Sequence, residues 1–268
     1  MISFLFIAYL SKKDYMDYAA CVVPAAPVRK KPSHKVEMVN QLLFGECVKI
    51  LKVKNKWFKV RSLHDNYEGW IRGNLIINME ESSVDSSFVT SALINAINVG
   101  GFNMHIPAGS TLPALRNGEG EIGSLKYRFD GRFVNRNEIK PGAALINQLT
   151  GQWMNAPYLW GGRTPLGVDC SGFVQVIFKM MGVDILRDAK LQATQGLKIN
   201  TLQEAQSGDL AFFRHKKRKI THVGILLGPS QIVHASGKVR IDPIDEKGII
   251  HSDLGNRTHS LVAIRRLW

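Results

Sequence analysis

Cysteine is scarce in this chain: 268 residues hold three, Cys21, Cys47 and Cys170, and no two form a CxxC pair. That pattern argues against a disulfide framework and against a four-ligand zinc site, and it fits a reducing compartment. Long apolar runs are also missing. The opening MISFLFIAYL is too short to span a bilayer, has no basic leader, and is broken by Lys12, Lys13 and Asp14 before any small-residue cleavage site. We read residues 1–15 as an extension upstream of a start near Met16, in a cytoplasmic protein without stable membrane insertion. The alternative is an exported protein whose signal or lipid-attachment sequence ends at Cys21, although Tyr18 stands where a small or branched apolar residue belongs. Acidic residues are the minority charge, 22 Asp+Glu against 35 Lys+Arg, for a net +13. Such a field attracts anions. The basic residues are nevertheless scattered, and the one dense run, Lys216 to Lys219, reads as a solvated hairpin tip or loop, so nucleic acid is not the expected partner. Repeats are absent, and a composition 45% hydrophobic and 21% charged is that of an ordinary globular protein.

What is present divides into three stretches, with boundaries expected at 16–80, 81–142 and 143–268. In the first, VVPAAPV, Gln41 to Phe44, CVKILKV, WFKVRSL and GWIRGNLI read as short strands separated by turn-prone His34, Gly45, Asn55 and Asp65-Asn66. Closely spaced short strands argue for a small β-barrel. After the polar Glu80 to Ser83, the segments GGFNMHIPAGSTLP and GRFV suggest a second, divergent barrel. The third stretch opens with a helical pattern from Ala143 to Met154. After Cys170, Phe173, Val174, Ile177, Met180 and Met181 fall at helical spacing, and Gly182 is a stop. GDLAFF, THVGILLG and QIVHASG then read as strands. A helix followed by an antiparallel sheet gives an α+β class.

Cys170 is thereby expected at a helix N-terminus, where free N–H groups and the macrodipole lower a thiol's pKa. Asp169 is positioned to cap that helix, and Ser171 and Gly172 leave room for a substrate to approach the backbone. A free cysteine is more often a small core residue. Two histidines shift that balance, because a cysteine nucleophile needs a base and the base needs a partner that fixes its tautomer. In a hairpin turning at Gly228-Pro229-Ser230, His222 and His234 become opposite or diagonal neighbours within side-chain reach.

These residues resemble a known family. DCSGF at 169–173, GDLAFF at 208–213, THVGI at 221–225 and VHAS at 233–236 are similar to the NlpC-type, papain-like cysteine peptidases, and the first stretch resembles bacterial SH3-like domains. The resemblance implies a papain-like catalytic domain behind two small SH3-like barrels, with Cys170 as nucleophile, His222 as general base and His234 as the residue orienting it. It also implies an oxyanion hole at the Cys170 backbone N–H and a structural role for Asp209. More narrowly, the barrels with YLWGG and DCSGF resemble the gamma-D-glutamyl-L-diamino acid endopeptidases of free murein tri- or tetrapeptides. That resemblance implies substrate contacts from Glu46, Tyr67, Trp160, Asp169, Ser171 and Asp188. Glu46 and Asp169 would hold the peptide ammonium, and Trp160 and Tyr67 would form walls that exclude glycan-linked chains. Ala189 and Lys190 depart from the pattern where a serine is expected beside Arg187-Asp188. No metal or organic cofactor is required by thiol chemistry. The rival readings are a secreted hydrolase of intact wall, an acyltransferase of the same chemistry, and a non-catalytic wall-binding SH3 protein.

Overall fold

The structure, a computed structural model, describes residues 17–84, 87–214 and 219–268. The expected extension over residues 1–15 and most of the Lys216 to Lys219 run lie outside the described residues.

The first sheet contains β1 (Tyr18–Cys21), β2 (Ala25–Arg29), β3 (Met38–Leu43), β4 (Cys47–Lys54), β5 (Trp57–Ser62), β6 (Glu68–Arg72) and β7 (Ile76–Met79), in the order β3-β2-β6-β5-β4-β1-β7. Alternation along β4 to β6 turns Val48, Phe58, Val60 and Ile71 into one core. Asn55, at φ 54°, turns the β4–β5 hairpin, a left-handed conformation that asparagine tolerates better than most residues. The next stretch adds β8 (Phe88–Thr90), β9 (Ile94–Val99), β10 (Phe102–Pro107), β11 (Glu119–Ile122), β12 (Leu125–Arg128) and β13 (Phe133–Asn135). They form a four-stranded sheet, β10-β9-β12-β11, beside a β13-β8 pair. Their apolar residues Ile97, Ile106, Leu112, Tyr127 and Phe129 pack with Ala20, Phe44 and Met79, so the second unit shares a core with the first.

The remainder contains α1 (Ala143–Gln152), the short pair β14 (Arg163–Thr164) and β15 (Gly167–Val168), then α2 (Cys170–Met180) and α3 (Ala189–Gln192). After these come β16 (Leu197–Ile199), β17 (Leu210–Arg214), β18 (Ile220–Leu226), β19 (Gln231–Ser236), β20 (Lys238–Asp245), β21 (Gly248–Ile250) and β22 (Arg257–Arg266). The sheet order is β16-β22-β17-β18-β19-β20-β21, and β21 also pairs with β22. The expected α+β arrangement, a helix packed on an antiparallel sheet, is what the chain adopts.

Helix α2 carries the architecture. Every one of its residues is buried, because Phe173, Val174 and Ile177 share the apolar core with the sheet, Val176 packs toward Gly109 of the second unit, and a polar stripe faces the first barrel. That stripe, Ser171, Gln175 and Lys179, follows from a spacing of four, which keeps side chains on one helix face. Gln175 donates to Asp65 at 2.8 Å and Lys179 to Glu46 at 2.7 Å. One helix thus docks the catalytic sheet and the first barrel on opposite sides. It ends at Gly182, whose φ of 80° is a left-handed cap.

Candidate active site

Asp169 caps α2 by accepting from the Gly172 N–H at 2.6 Å, so Cys170 is the first helical residue, as the sequence implied. Its electrostatics differ from expectation. Burial pushes the Cys170 thiol up to about 12, the Asp169 charge adds to that rise, and the Val223 backbone N–H and the Arg187 guanidinium oppose it without prevailing. The expected lowering fails because the sulfur is enclosed and the carboxylate that caps its helix lies beside it. The Val223 N–H that faces the sulfur belongs to the residue after His222, which brings α2 and β18 together at this point.

His222 and His234 meet as the hairpin reading requires. Strands β18 and β19 pair Ile225 with Val233 and Leu226 with Ile232, and continuing that register sets Gly224 opposite His234 and His222 on the diagonal. A side chain on Gly224 would meet the His234 Cβ at 2.9 Å, which is why glycine occupies this position. His222 Nε2 lies 2.8 Å from His234 Nδ1, leaving Nδ1 as the other nitrogen of His222. Burial, followed by the neighbouring His234 and His259, holds His222 well below the usual histidine range. Its imidazole is therefore neutral at pH 7 and able to accept a proton.

Beside Cys170 runs a cleft of about 550 Å³, lined by Glu37, Tyr67, Trp160, Asp169, Ser171, Asp188 and Lys190 among others, a size suited to a small ligand. Of the six expected substrate contacts, the cleft gathers Tyr67, Trp160, Asp169, Ser171 and Asp188. Trp160 is 59% exposed at the rim and donates through Nε1 to Glu37 Oε1 at 2.9 Å, bridging the catalytic part and the β2–β3 loop. Tyr67 is raised to about 12 by burial first and Asp188 next.

Glu46 is not among the cleft's lining residues. It is 3% exposed and is held by Arg163 at 2.6 and 2.9 Å, by Lys179 at 2.7 Å, and by the Leu43 N–H at 2.9 Å. Burial works to raise its pKa, but Arg163 and Lys179 outweigh burial and keep it well below the usual carboxylate range. The expectation that Glu46 meets the substrate amine is thus corrected: two cations from the catalytic part already occupy the carboxylate. Asp169 does lie on the cleft wall, yet it accepts from Gly161 N, Gly172 N, Ser171 Oγ and both Arg187 Nη atoms. Those donors fill a carboxylate's lone pairs, so Asp169 organises the wall and has little left for an incoming ammonium. The open space expected at Gly172 is also absent, since a Cβ there would lie 2.3 Å from the Gly162 carbonyl oxygen. Gly172 serves the close packing of α2 on the preceding loop. Asp209 lies apart from the histidines and pairs with Arg266 at 2.8 Å.

Four residues were missed. Asp242 Oδ2 lies 2.9 Å from His234 Nε2. His259 stacks on His222 with ring centroids 4.2 Å apart and planes at 27°. Tyr158 lines a recess with His222 and His259, and its phenol is raised by burial and then by the nearby Cys170 and Asp169. Glu37 places a carboxylate on the cleft rim, where it accepts from Trp160 Nε1 and lies 3.6 Å from Lys30 Nζ. For Asp242 and His259 the available signal was the alternation in VRIDPID and RTHSLVAI, which marks two further strands.

A cysteine heading a buried helix against a histidine-bearing antiparallel sheet defines the class of papain-like cysteine hydrolases. Comparison with known proteins narrows this. The NlpC/P60 family matches residues 155–258, and the bacterial dipeptidyl-peptidase SH3 domain matches residues 28–74. The chain is 30% identical over 216 residues to the gamma-D-glutamyl-L-lysine dipeptidyl-peptidase of Bacillus subtilis, covering 73% of this chain and 71% of that one. It is 26% identical over 260 residues to dipeptidyl-peptidase 6 of Lysinibacillus sphaericus, covering 85% and 92%. The crystal structure of an NlpC/P60 family protein from Bacillus cereus shares the fold at a TM-score of 0.76 and 20% identity, over 93% of this chain and 99% of that one. The chain belongs to the NlpC/P60 family and is a cysteine peptidase.

Proposed function

We propose that this peptidase hydrolyses the bond between γ-D-glutamate and the L-diamino acid in free murein tri- or tetrapeptides whose N-terminal L-alanine is unblocked. The observation that carries this reading is the cleft beside Cys170, rimmed by the Trp160–Glu37 hydrogen bond and walled by the first barrel and the catalytic part together. A walled cleft suits a short free peptide better than a glycan strand. The name of the Bacillus subtilis relative, a gamma-D-glutamyl-L-lysine dipeptidyl-peptidase, supports the choice of bond. The scarcity of cysteine and the lack of any CxxC pair suit a reducing setting, and we set the reaction in the cytoplasm.

In this reading Cys170 and His222 start as a neutral thiol and a neutral imidazole. As sulfur attacks the γ-glutamyl carbonyl carbon, His222 Nδ1 takes the thiol proton, and the carbonyl π electrons move to oxygen. The backbone N–H groups at the head of α2 receive that oxyanion, with the Tyr158 hydroxyl as the side-chain donor. Collapse breaks the C–N bond, and the imidazolium proton goes to the departing amine of the diamino acid. Water then gives a proton to His222 as its oxygen attacks the thioester carbon; the C–S bond breaks, the imidazolium returns the proton to sulfur, and L-Ala-γ-D-Glu leaves with the thiol restored. His234 orients His222 throughout. Glu37, on the rim, is our candidate for the carboxylate that meets the L-alanine ammonium, a charge that needs an anionic partner if it is to leave water; Tyr67, Ser171 and Asp188 complete that wall.

The test is mass spectrometry of the protein mixed separately with L-Ala-γ-D-Glu-L-diamino acid, its N-acetylated form and intact sacculi. Cleavage of the free tripeptide alone is expected; equal release from sacculi would contradict the reading. The Cys170→Ala variant should keep the fold and lose turnover, and undiminished hydrolysis by it would remove Cys170 from the mechanism.

A further inference from the structure

The two oxygens of Asp242 have different partners. Oδ1 accepts from Arg240 Nε at 3.1 Å, Arg240 Nη2 at 2.9 Å and the Ser252 N–H at 3.0 Å. Oδ2 faces His234 Nε2 at 2.9 Å. Arg240 is fixed in turn by Ser252 Oγ and Asp253, and Asp242 is 1% exposed. A carboxylate only accepts, so His234 must carry its proton on Nε2. A neutral imidazole protonated there presents a lone pair at Nδ1, and that atom lies 2.8 Å from His222 Nε2. The bond forms only if His222 Nε2 carries the proton. His222 Nδ1 is then left as the basic atom.

We propose that Asp242 is a positioning residue which sets, through two successive imidazoles, the tautomer that makes His222 Nδ1 the base. The proposal rests on the reading of Cys170 and His222 as nucleophile and base, and it adds a residue that never touches the substrate. Its ionised state has a physical source: burial works against it, but hydrogen bonds from His234, Ser252 and Arg240 outweigh burial and hold the carboxyl well below the ordinary range.

The same geometry dictates what an amide does in this place. In Asp242→Asn the three N–H donors around Oδ1 demand the amide oxygen there, which turns the NH₂ toward His234 Nε2. That nitrogen must then accept, so the His234 proton moves to Nδ1 and is donated to His222 Nε2. The His222 proton moves to Nδ1, where the lone pair was needed. A wrong tautomer in an intact site lowers kcat by about 10⁴ in the worked example of the serine-protease triad, and a loss of about 10³–10⁴ with KM little changed is expected here.

The experiment is imidazole ¹⁵N NMR on the full chain with ¹⁵N-labelled histidine, wild type beside Asp242→Asn, together with kcat and KM on the free tripeptide. In the wild type, His222 and His234 should both be protonated at Nε2; in the variant both should be protonated at Nδ1, with the kcat loss given above. A wild-type His222 protonated at Nδ1 overturns the proposal, even if the variant does not fold. A variant that keeps the wild-type tautomers, or switches them at full kcat, overturns it too. Turnover by Cys170→Ala would sink the nucleophile reading and leave the tautomer result standing, so the two failures are distinguishable.

Discussion

Two buried carboxylates join the first barrel to the catalytic part, each gripped by an arginine, and they serve opposite ends. Glu46 belongs to the barrel and reaches Arg163 and Lys179 of the catalytic part. Asp169 belongs to the catalytic part, and its Arg187 reaches back to barrel residue Asn40 at 2.7 Å. The Glu46 cluster holds two cations against one anion and lies away from the cleft beside Cys170; the Asp169 cluster is balanced and forms part of that cleft's wall. From sequence both looked like ligands for a peptide amine. The difference teaches that a carboxylate's partners, rather than its place in a motif, decide what it can still bind, because a carboxylate with its lone pairs filled has no capacity left for a substrate.

Removing charge from the sealed cluster should have the largest effect on stability. Glu46→Gln leaves Arg163 and Lys179 facing each other without an anion, and breaking such a buried pair costs about 3–5 kcal/mol. Denaturant unfolding should show that loss, while KM for the free tripeptide stays at its wild-type value in the folded fraction. A raised KM at unchanged stability would restore Glu46 as a substrate contact. The pH dependence follows with the same sign. The Glu46 carboxyl is depressed from 4.5, so its contribution is present above that value and is lost as pH falls below it. Glu46→Gln should therefore flatten the loss of stability on the acid side.

At the cleft rim, beside the Asp169 wall, a smaller and selective effect is expected. Glu37→Gln should raise KM for the free tripeptide about tenfold, the size of one lost charged hydrogen bond at the low end, and leave an N-acetylated analogue unaffected. Equal changes for both substrates would remove Glu37 as the amine's partner. The smallest effect is a displacement of a pH limb. Because burial and neighbouring imidazoles depress His222 below 6.5, the acid limb of kcat/KM should lie below that value. With the Cys170 thiol pushed up to about 12, no thiol ionisation should appear in the profile near neutrality. An acid limb above 6.5 would mean that His222 is not the buried neutral base described.

How much of this was legible depended on whether a local period or a distant pairing carried the information. Helix α2 was readable because Phe173, Val174 and Ile177 repeat at helical spacing behind Asp169, and the histidine pair because one short hairpin joins His222 to His234. The last strand with a clear signature is QIVHASG. Asp242 and His259 lie beyond it, on β20 and β22: Asp242 sits eight residues from His234 across the β19–β20 hairpin, within reach of the same hairpin logic, whereas His259 reaches His222 only through long-range strand pairing. Glu37 and Glu46 are both carboxylates close to a strand end. Which one meets the cleft depends on the path of the β2–β3 loop and on where the Lys179 and Arg163 side chains end, and neither is encoded in a window around the glutamate. The thiol's electrostatics were misjudged for a related reason: the helix terminus is local, whereas the burial that outweighs it comes from the whole fold.

In the proposed mechanism sulfur carries the acyl group between the two half-reactions. Rapid acid quench of the wild-type protein during turnover of L-Ala-γ-D-Glu-L-diamino acid, followed by peptide mapping, tests this most directly. One L-Ala-γ-D-glutamyl group on the peptide containing Cys170, chased away as L-Ala-γ-D-Glu accumulates, is the expected result. The same adduct on a different residue would contradict it.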